Sequence, residues 1–221
     1  MKKELKITAD GSHTLFIANL GETYHSIHGA IQEAKHVFIQ AGFKNISKQK
    51  INCLEIGFGT GLNAFLTVLE AKEDKKVVNY TAIEAFPLEL ELIERLNYTT
   101  KLKLKEEEAE LFDKLHQVEW EAMEEINNHF QLKKIEVAIN DFDASEKFDV
   151  IYFDAFGPRV QAEMWTEEVF LKMYNCLNDG GVLATYCAKG SVKRTLKTIG
   201  FNVETLPGPP GKREMTLAHK L

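Results

Sequence analysis

At 221 residues and 44% hydrophobic, the chain has enough apolar material for one substantial core, so a single domain is expected rather than two small ones. No apolar run approaches the roughly 20 residues needed to cross a bilayer, and residues 1–10 are charged from the outset rather than built as a signal peptide, so a cytoplasmic location without membrane attachment is expected. The net charge of −6 argues against a uniformly basic nucleic-acid binder, but it is unevenly spread: residues 1–50 carry 7 Lys/Arg against 4 Asp/Glu, residues 84–125 carry 5 against 13, and residues 189–221 carry 7 against 2. The basic ends stay available to an anionic partner.

Before residue 51 the pattern is irregular, with a strand expected over Thr14 to Ala18 and a helix over Gly29 to Ala41, together forming an extension or lid (residues 1–50) packed on the main domain (51–221). From Ile51 onward, β-branched runs alternate with helical spacing, which is the pattern of a mostly parallel sheet covered on both faces. Ile51 to Ile56 reads as a first strand, Leu62 to Lys72 as a helix, and Val77 to Glu84 as a second strand. Pro87 then suits the first turn of a helix over Leu88 to Leu96. Apolar residues at Leu111, Leu115, Val118, Met123 and Ile126 predict one or two charged helices between Glu106 and Phe130. Ile135 to Ile139 and Phe148 to Asp154 are expected strands, Glu167 to Cys176 a helix with Thr166 as its N-cap, Gly180-Gly181 a turn, and Val182 to Cys187 a strand. A helix from Ser191 to Ile199 closes on Gly200, and Phe201 to Leu206 with Met215 to His219 supply a last pair of strands, making seven in the sheet.

Cys53, Cys176 and Cys187 are odd in number and widely spaced, which fits a reduced compartment. His25, His28 and His36 have a metal-like spacing without the rest of a closed ligand set, so no metal is expected.

The strongest local signal is Glu55-Ile56-Gly57-Phe58-Gly59-Thr60-Gly61, a strand-to-helix turn whose glycines let a ligand approach the backbone. A dinucleotide fingerprint needs a small residue where Leu62 stands, and Glu55 before the turn would repel a pyrophosphate while suiting a cationic amine. Glu84, at the end of the second strand, is placed to accept both hydroxyls of a ribose, and Asn140-Asp141 to cap an adenine edge. Asp154 ends the strand beside the first, at the switch point where ligands gather in open α/β sheets, and a carboxylate emerging from Val150-Ile151-Tyr152-Phe153 is costly unless paired or functional. Phe156 and Trp165 are candidates to stack on a base, and Lys212 and Arg213, after the stiff Gly208-Pro209-Pro210-Gly211 loop, to hold phosphates, with Lys189, Lys193, Arg194 and Lys197 extending the basic surface.

These pieces occur in the order of a known family. Tyr24-His25-Ser26 with Glu33, His36-Val37-Phe38, the glycine turn through Asn63, Phe153-Asp154-Ala155-Phe156-Gly157-Pro158, Met164-Trp165-Thr166, Gly180 to Tyr186, and Gly211-Lys212-Arg213-Glu214-Met215 span nearly the whole chain. The combination resembles the methyltransferase domain of the bacterial MnmC-like tRNA-modifying enzymes. That resemblance implies a doubly wound, Rossmann-like class I methyltransferase α/β fold whose last strand runs antiparallel, with S-adenosylmethionine as cofactor. It further implies N-methylation of wobble 5-aminomethyl-2-thiouridine in the anticodon region of tRNA. Tyr24, Ser26, Glu55, Gly57, Phe58, Gly59, Thr60, Gly61, Asn63, Glu84 and Asp141 would hold the cofactor, Asp154 would orient the amine, and Phe156, Trp165, Lys212 and Arg213 would meet the substrate.

Relatives often carry a C-terminal flavin-dependent oxidase domain, and a chain ending at Leu221 is expected to be the standalone form. The segment after Phe156 departs from the family pattern, reading Gly157-Pro158-Arg159 where relatives favour Ala-Pro-Lys. The alternatives are a small-molecule methyltransferase or an aminopropyltransferase on the same fold, a nicotinamide-dependent oxidoreductase, which Leu62 disfavours, and a non-catalytic tRNA-binding module. The sequence carries no signal of oligomeric state.

Overall fold

Six consecutive buried residues, Phe148–Phe153, mark the middle of the sheet in the computed structural model, which describes residues 2–143 and 145–221. Such a run is what a strand covered on both faces requires. Three short strands, β1 (Lys3–Ile7), β2 (His13–Ile17) and β3 (Glu22–Thr23), form a separate antiparallel sheet. Helix α1 (Ala30–Ala34) follows and runs on into a wider, π-type turn (Lys35–Gln40). The main layer then alternates through β4 (Lys50–Ile56), α2 (Leu62–Glu73), β5 (Val77–Glu84), the short helices α3 (Leu90–Ile93) and α4 (Tyr98–Leu102), α5 (Glu106–Gln117), β6 (Met123–Asn127), β7 (Phe130–Glu136) and β8 (Phe148–Phe153). It ends with α6 (Glu167–Cys176), β9 (Leu177–Thr185), α7 (Gly190–Ile199), β10 (Asn202–Pro207) and β11 (Glu214–His219).

Among the described residues the main sheet has eight strands in the order β10-β11-β9-β8-β4-β5-β7-β6. Its centre, from β7 to β9, is parallel, and β11 runs antiparallel to both β9 and β10, as expected. The fold is therefore the doubly wound α/β class read from the sequence, with one strand more than the seven expected. The extra strand is β6, which pairs antiparallel with β7 through a tight reversal where Asn127 Oδ1 accepts the backbone N–H of His129 at 2.8 Å. Met123 and Ile126 had the spacing of a helix, but helix α5 stops at Gln117 and the two residues belong to this edge hairpin. Its formation also moves the next strand forward, to Phe130–Glu136 rather than Ile135 to Ile139.

Smaller differences are local. Pro87 precedes α3 instead of opening it. Gly180-Gly181 lies inside β9, where the register against β8 slips between Phe148 and Val150, so the pair kinks a strand rather than ending one. Gly200 caps α7 with φ +119°, and Thr166 Oγ1 accepts the N–H of Val169 at 3.3 Å, both as expected.

Two apolar clusters flank the sheet. One joins the π-type turn, α2 and α5 to Cys53, Val150 and Tyr152, and it takes in Leu15 and Ala30 of the N-terminal segment. The other joins α6 and α7 to Leu54, Ile56, Ile151 and Phe153. Full burial of each large side chain contributes about 1.5–3 kcal/mol. Cys53, Cys176 and Cys187 are buried and free. No helix among the described residues is long and apolar enough to cross a membrane.

Candidate active site

The turn after β4 is built by the neighbouring strand and by its own side chains. Gly57 and Phe58 both donate their N–H groups to Ile83 O, at 2.9 and 3.2 Å, which ties the turn to β5. Gly57 has φ +91°, and a Cβ there would stand 2.9 Å from Asp154 O; Gly59 has φ +50°, and its Cβ would stand 3.1 Å from the Tyr24 ring. Both positions need a residue without a side chain. The carboxylate of Glu84, at the end of β5, accepts the Gly59 N–H at 3.0 Å and the Phe86 N–H at 2.9 Å, so it lies beside the turn, with the exposed ring of Phe86 two residues further along the chain. Gly61 opens α2.

Two members of the turn face inward. Phe58 is buried against His116 and Trp120, with ring centroids 5.5 and 6.3 Å away, and the Lys134 ammonium lies 5.6 Å from its ring. Its side chain anchors the loop, so only its backbone is left to meet a ligand. Thr60 is also buried, its hydroxyl 2.7 Å from His25 Nε2 and accepting from the Tyr98 hydroxyl at 3.2 Å. Burial holds the His25 imidazole down to about 4, so it is neutral and welds the N-terminal segment to the turn.

Behind the turn, one amide serves two carboxylates. Asn63 Nδ2, on α2, donates to Glu55 Oε1 at 2.9 Å and to Asp154 Oδ2 at 2.8 Å. Two carboxylate acceptors fix the amide orientation, since the flipped form would set oxygen against oxygen. Among the described residues Asn63 Oδ1 is then left buried without a protein partner, and Glu55 Oε2 makes no close hydrogen bond, although the buried Tyr80 hydroxyl faces the Glu55 carboxyl. An unmet buried acceptor such as Asn63 Oδ1 costs about 1–3 kcal/mol, so the site can take a further donor there. Burial pushes the Glu55 carboxyl well above the usual range, with Asp154 and Glu84 adding to it. Asp154 is half-buried and is pushed up to about 7, first by burial and then by the charge of Glu33, while Asn63 and Lys212 oppose the rise.

The N-terminal segment and the β10–β11 loop close over these groups. Tyr24 lies over Gly59 and meets Phe156 edge-on at 5.2 Å. Burial, followed by the charge of Glu84, raises its hydroxyl above the ordinary tyrosine range. Ser26 offers its N–H to Glu33 Oε2 at 2.8 Å, and its hydroxyl oxygen accepts from His28 N at 3.1 Å. The buried Glu33 carboxylate also pairs with the Lys212 ammonium, which sits 3.7 Å above the Tyr186 ring. Tyr186 donates its hydroxyl to Ala155 O at 2.8 Å.

The geometry thus brings Tyr24, Glu55, Gly57, Gly59, Asn63, Glu84, Asp154, Phe156 and Lys212 to one place, and it gives other expected residues different surroundings. Trp165 is buried against Phe153 and donates its indole N–H to Phe156 O at 2.8 Å, which makes it a support for the loop rather than an open stacking platform. Lys212 is held by Glu33 rather than free for phosphate. Arg213 is exposed and borders a cleft of about 580 Å³ with Cys187, Lys189 and Lys212. Asp141 is exposed in the turn after β7, where its N–H donates to Ala138 O at 2.9 Å. Glu33 and Tyr186 were matched in the sequence without a role. The position of Tyr186 just past β9, beside β8, was the available signal. Among the described residues no cluster of three or more His, Cys, Asp or Glu is arranged to hold a metal ion.

Residues 99–221 match the profile of a family described as S-adenosyl-L-methionine-dependent methyltransferase. The chain is 29% identical over 211 residues to the "tRNA 5-methylaminomethyl-2-thiouridine biosynthesis bifunctional protein MnmC" of Cupriavidus metallidurans, covering 89% of this chain and 31% of that protein. It is 31% identical over 205 residues to the MnmC protein of Leptospira borgpetersenii, covering 88% and 31%. The chain therefore spans about a third of the length of these relatives. Among solved structures, MnmC2 from Aquifex aeolicus superposes with a TM-score of 0.80 at 27% identity, covering 99% of this chain and 70% of that one. Spermidine synthase from Thermotoga maritima, at 14% identity and a TM-score of 0.56, shares the fold.

Proposed function

Since the chain belongs to the family of S-adenosyl-L-methionine-dependent methyltransferases, we propose that it methylates the exocyclic amine of 5-aminomethyl-2-thiouridine at the wobble position of tRNA. The observation that carries the reading is the half-open carboxyl of Asp154, hung on Asn63 with Glu55 at the mouth of the glycine turn. The names and the likeness of the MnmC relatives support the substrate.

The residues present fit the cofactor. Asn63 Oδ1, buried without a protein partner, and the Glu55 carboxyl beside it suit the ammonium of a methionine moiety, Glu84 suits a ribose, and the bare faces of Gly57 and Gly59 leave the space that a Cβ would fill. When bound, S-adenosyl-L-methionine supplies a methyl on a sulfonium, whose thioether leaves without needing an acid. The protein's work is alignment, exclusion of water and one proton. Asp154 accepts a hydrogen bond from the substrate amine and aims its lone pair. With its carboxyl near 7, it also takes the proton that the amine gives up on methylation. Tyr24 and Phe156 roof the site, and residues 2–50 serve as its lid.

Arg213 and Lys189, exposed beside the cleft, contact the phosphates of the anticodon region. With so few cations, binding falls as salt is added. The test is nucleoside mass spectrometry of tRNA bearing 5-aminomethyl-2-thiouridine after incubation with the protein and S-adenosylmethionine. A gain of one methyl on that nucleoside is expected. No gain, with cofactor binding verified by calorimetry, would remove the tRNA substrate and leave a small-molecule methyltransferase.

A further inference from the structure

Three residues of the glycine turn touch a single crossover. Phe58 packs its ring against His116 and Trp120, a Cβ on Gly61 would stand 2.8 Å from the His116 ring, and Thr60 accepts the Tyr98 hydroxyl at 3.2 Å. His116 lies in the last turn of α5, Trp120 just beyond it and Tyr98 at the start of α4, so all three belong to the chain between β5 and β7. Phe112 joins them into one run of rings, with centroids 4.7 Å from His116 and 5.8 Å from Tyr98.

A cation is set into this run. Lys134 is on β7, opposite Ala82 of β5, and is 2% exposed. Its ammonium donates to His116 O at 3.0 Å, which satisfies a carbonyl at the C-terminal end of α5. The same ammonium stands over two rings, 5.6 Å from the centroid of Phe58 and 5.1 Å from that of Trp120. The backbone repeats the tie, since Lys134 O accepts the Glu121 N–H at 2.7 Å. Burial brings the ammonium down to about 8, which leaves it charged at pH 7. A charge costs more to bury than an apolar group of the same length, so filling space does not account for a lysine here. What the charge adds is attraction to the helix end and to both ring faces at once.

We propose that Lys134 is a positioning residue for the cofactor: by holding Phe58 against the end of α5, it sets the backbone of the glycine turn and with it the affinity for the cofactor. The inference rests on the seat given to the cofactor above. Phe58 carries the effect, because its N–H and that of Gly57 share Ile83 O, and its own carbonyl accepts the Gly61 N–H at 2.8 Å. A shift of this ring therefore moves the peptides of the turn with it.

The test is calorimetry of S-adenosylmethionine binding at pH 7 to wild type, K134M, F58L and the double variant, with melting temperature followed alongside. Met keeps the length of the lysine stem without its charge, and Leu keeps an apolar side chain without the ring. Each single variant is expected to raise Kd about tenfold. The double should lose no more than about the larger single loss, as for two residues that act through one contact. With tRNA bearing the 5-aminomethyl nucleoside, K134M should raise the KM for cofactor while kcat at saturating cofactor stays within about twofold. An unchanged Kd in K134M, whatever its melting temperature, would make Lys134 a residue of stability alone and overturn the proposal. Losses that multiply in the double variant would do the same. If K134M or F58L fails to fold, W120L replaces it, removing one of the two rings and leaving the charge, with the same rise in Kd expected and the same meaning for its absence. Wild type that binds no cofactor would remove the seat itself, a result distinct from variants that bind as wild type does.

Discussion

The two faces of the central sheet are equally dry but differently made. Along β4 and β8 successive side chains alternate between them: Cys53, Glu55 and Tyr152 lie on the α2 side, and Leu54, Ile56, Ile151 and Phe153 on the α6 and α7 side. The first face carries Glu55, Asn63 and the Thr67 and Tyr152 hydroxyls, 3.2 Å apart, and Asn63 links it to the Asp154 carboxyl. The second packs Phe153, Trp165 and Phe170 ring against ring. One face holds the chemistry in place and the other holds the strand that delivers it, so a polar change and an apolar one should fail in different ways.

Asp154→Ala should break the first face most sharply: turnover falls about 10²–10⁴-fold while cofactor affinity by calorimetry stays within about threefold. An unchanged rate would remove its role. Phe170→Ala, on the second face, should cost about 3–5 kcal/mol in urea denaturation and leave the kcat of the folded protein nearly intact. Loss of kcat without loss of stability would erase the division between the faces.

The lid seam should sharpen the contrast through pH. His25 titrates at about 4 when folded and at 6.5 when free, so between these values the unfolded chain binds a proton that the folded chain does not. Its contribution is complete above 6.5 and is lost as pH falls toward 4, about 2 kcal/mol being gone at pH 5. His25→Asn should therefore flatten the decline in stability between pH 7 and pH 5, and parallel slopes would count against a neutral, buried ring. The smallest effect belongs to Gly59→Ala, where the left-handed backbone and the Tyr24 ring should weaken cofactor binding about tenfold, measured by calorimetry.

Much of this arrangement is legible in single segments. The glycine turn, Asp154 at the end of β8, the Thr166 cap and the Gly200 stop each follow from a local rule, because the strand, turn or helix end that demands the residue lies within a few positions of it. β6 escaped because Met123 and Ile126 of this charged edge strand continue the apolar spacing of the preceding helix, and only pairing to β7 decides between them. Phe58 and Trp165 escaped for another reason: an aromatic beside a ligand loop looks the same whether it faces the ligand or supports the loop. The partnership of Glu33 with Lys212 has no local signature, since it depends on where the fold brings two distant segments.

That partnership sets the order in which the enzyme can become active. Its members lie 179 positions apart, and His36 reaches Pro207 O across 171. During synthesis the N-terminal sheet, the glycine turn and the strands through β9 can emerge from the ribosome and begin to pack before the β10–β11 hairpin exists. Until that hairpin arrives, Glu33 is a carboxylate without its cation and the roof over Asp154 lacks its far hinge. The nascent protein can thus hold the scaffold of a methyltransferase before its two ends are joined, and the proposed activity should begin only when the last strands join the sheet.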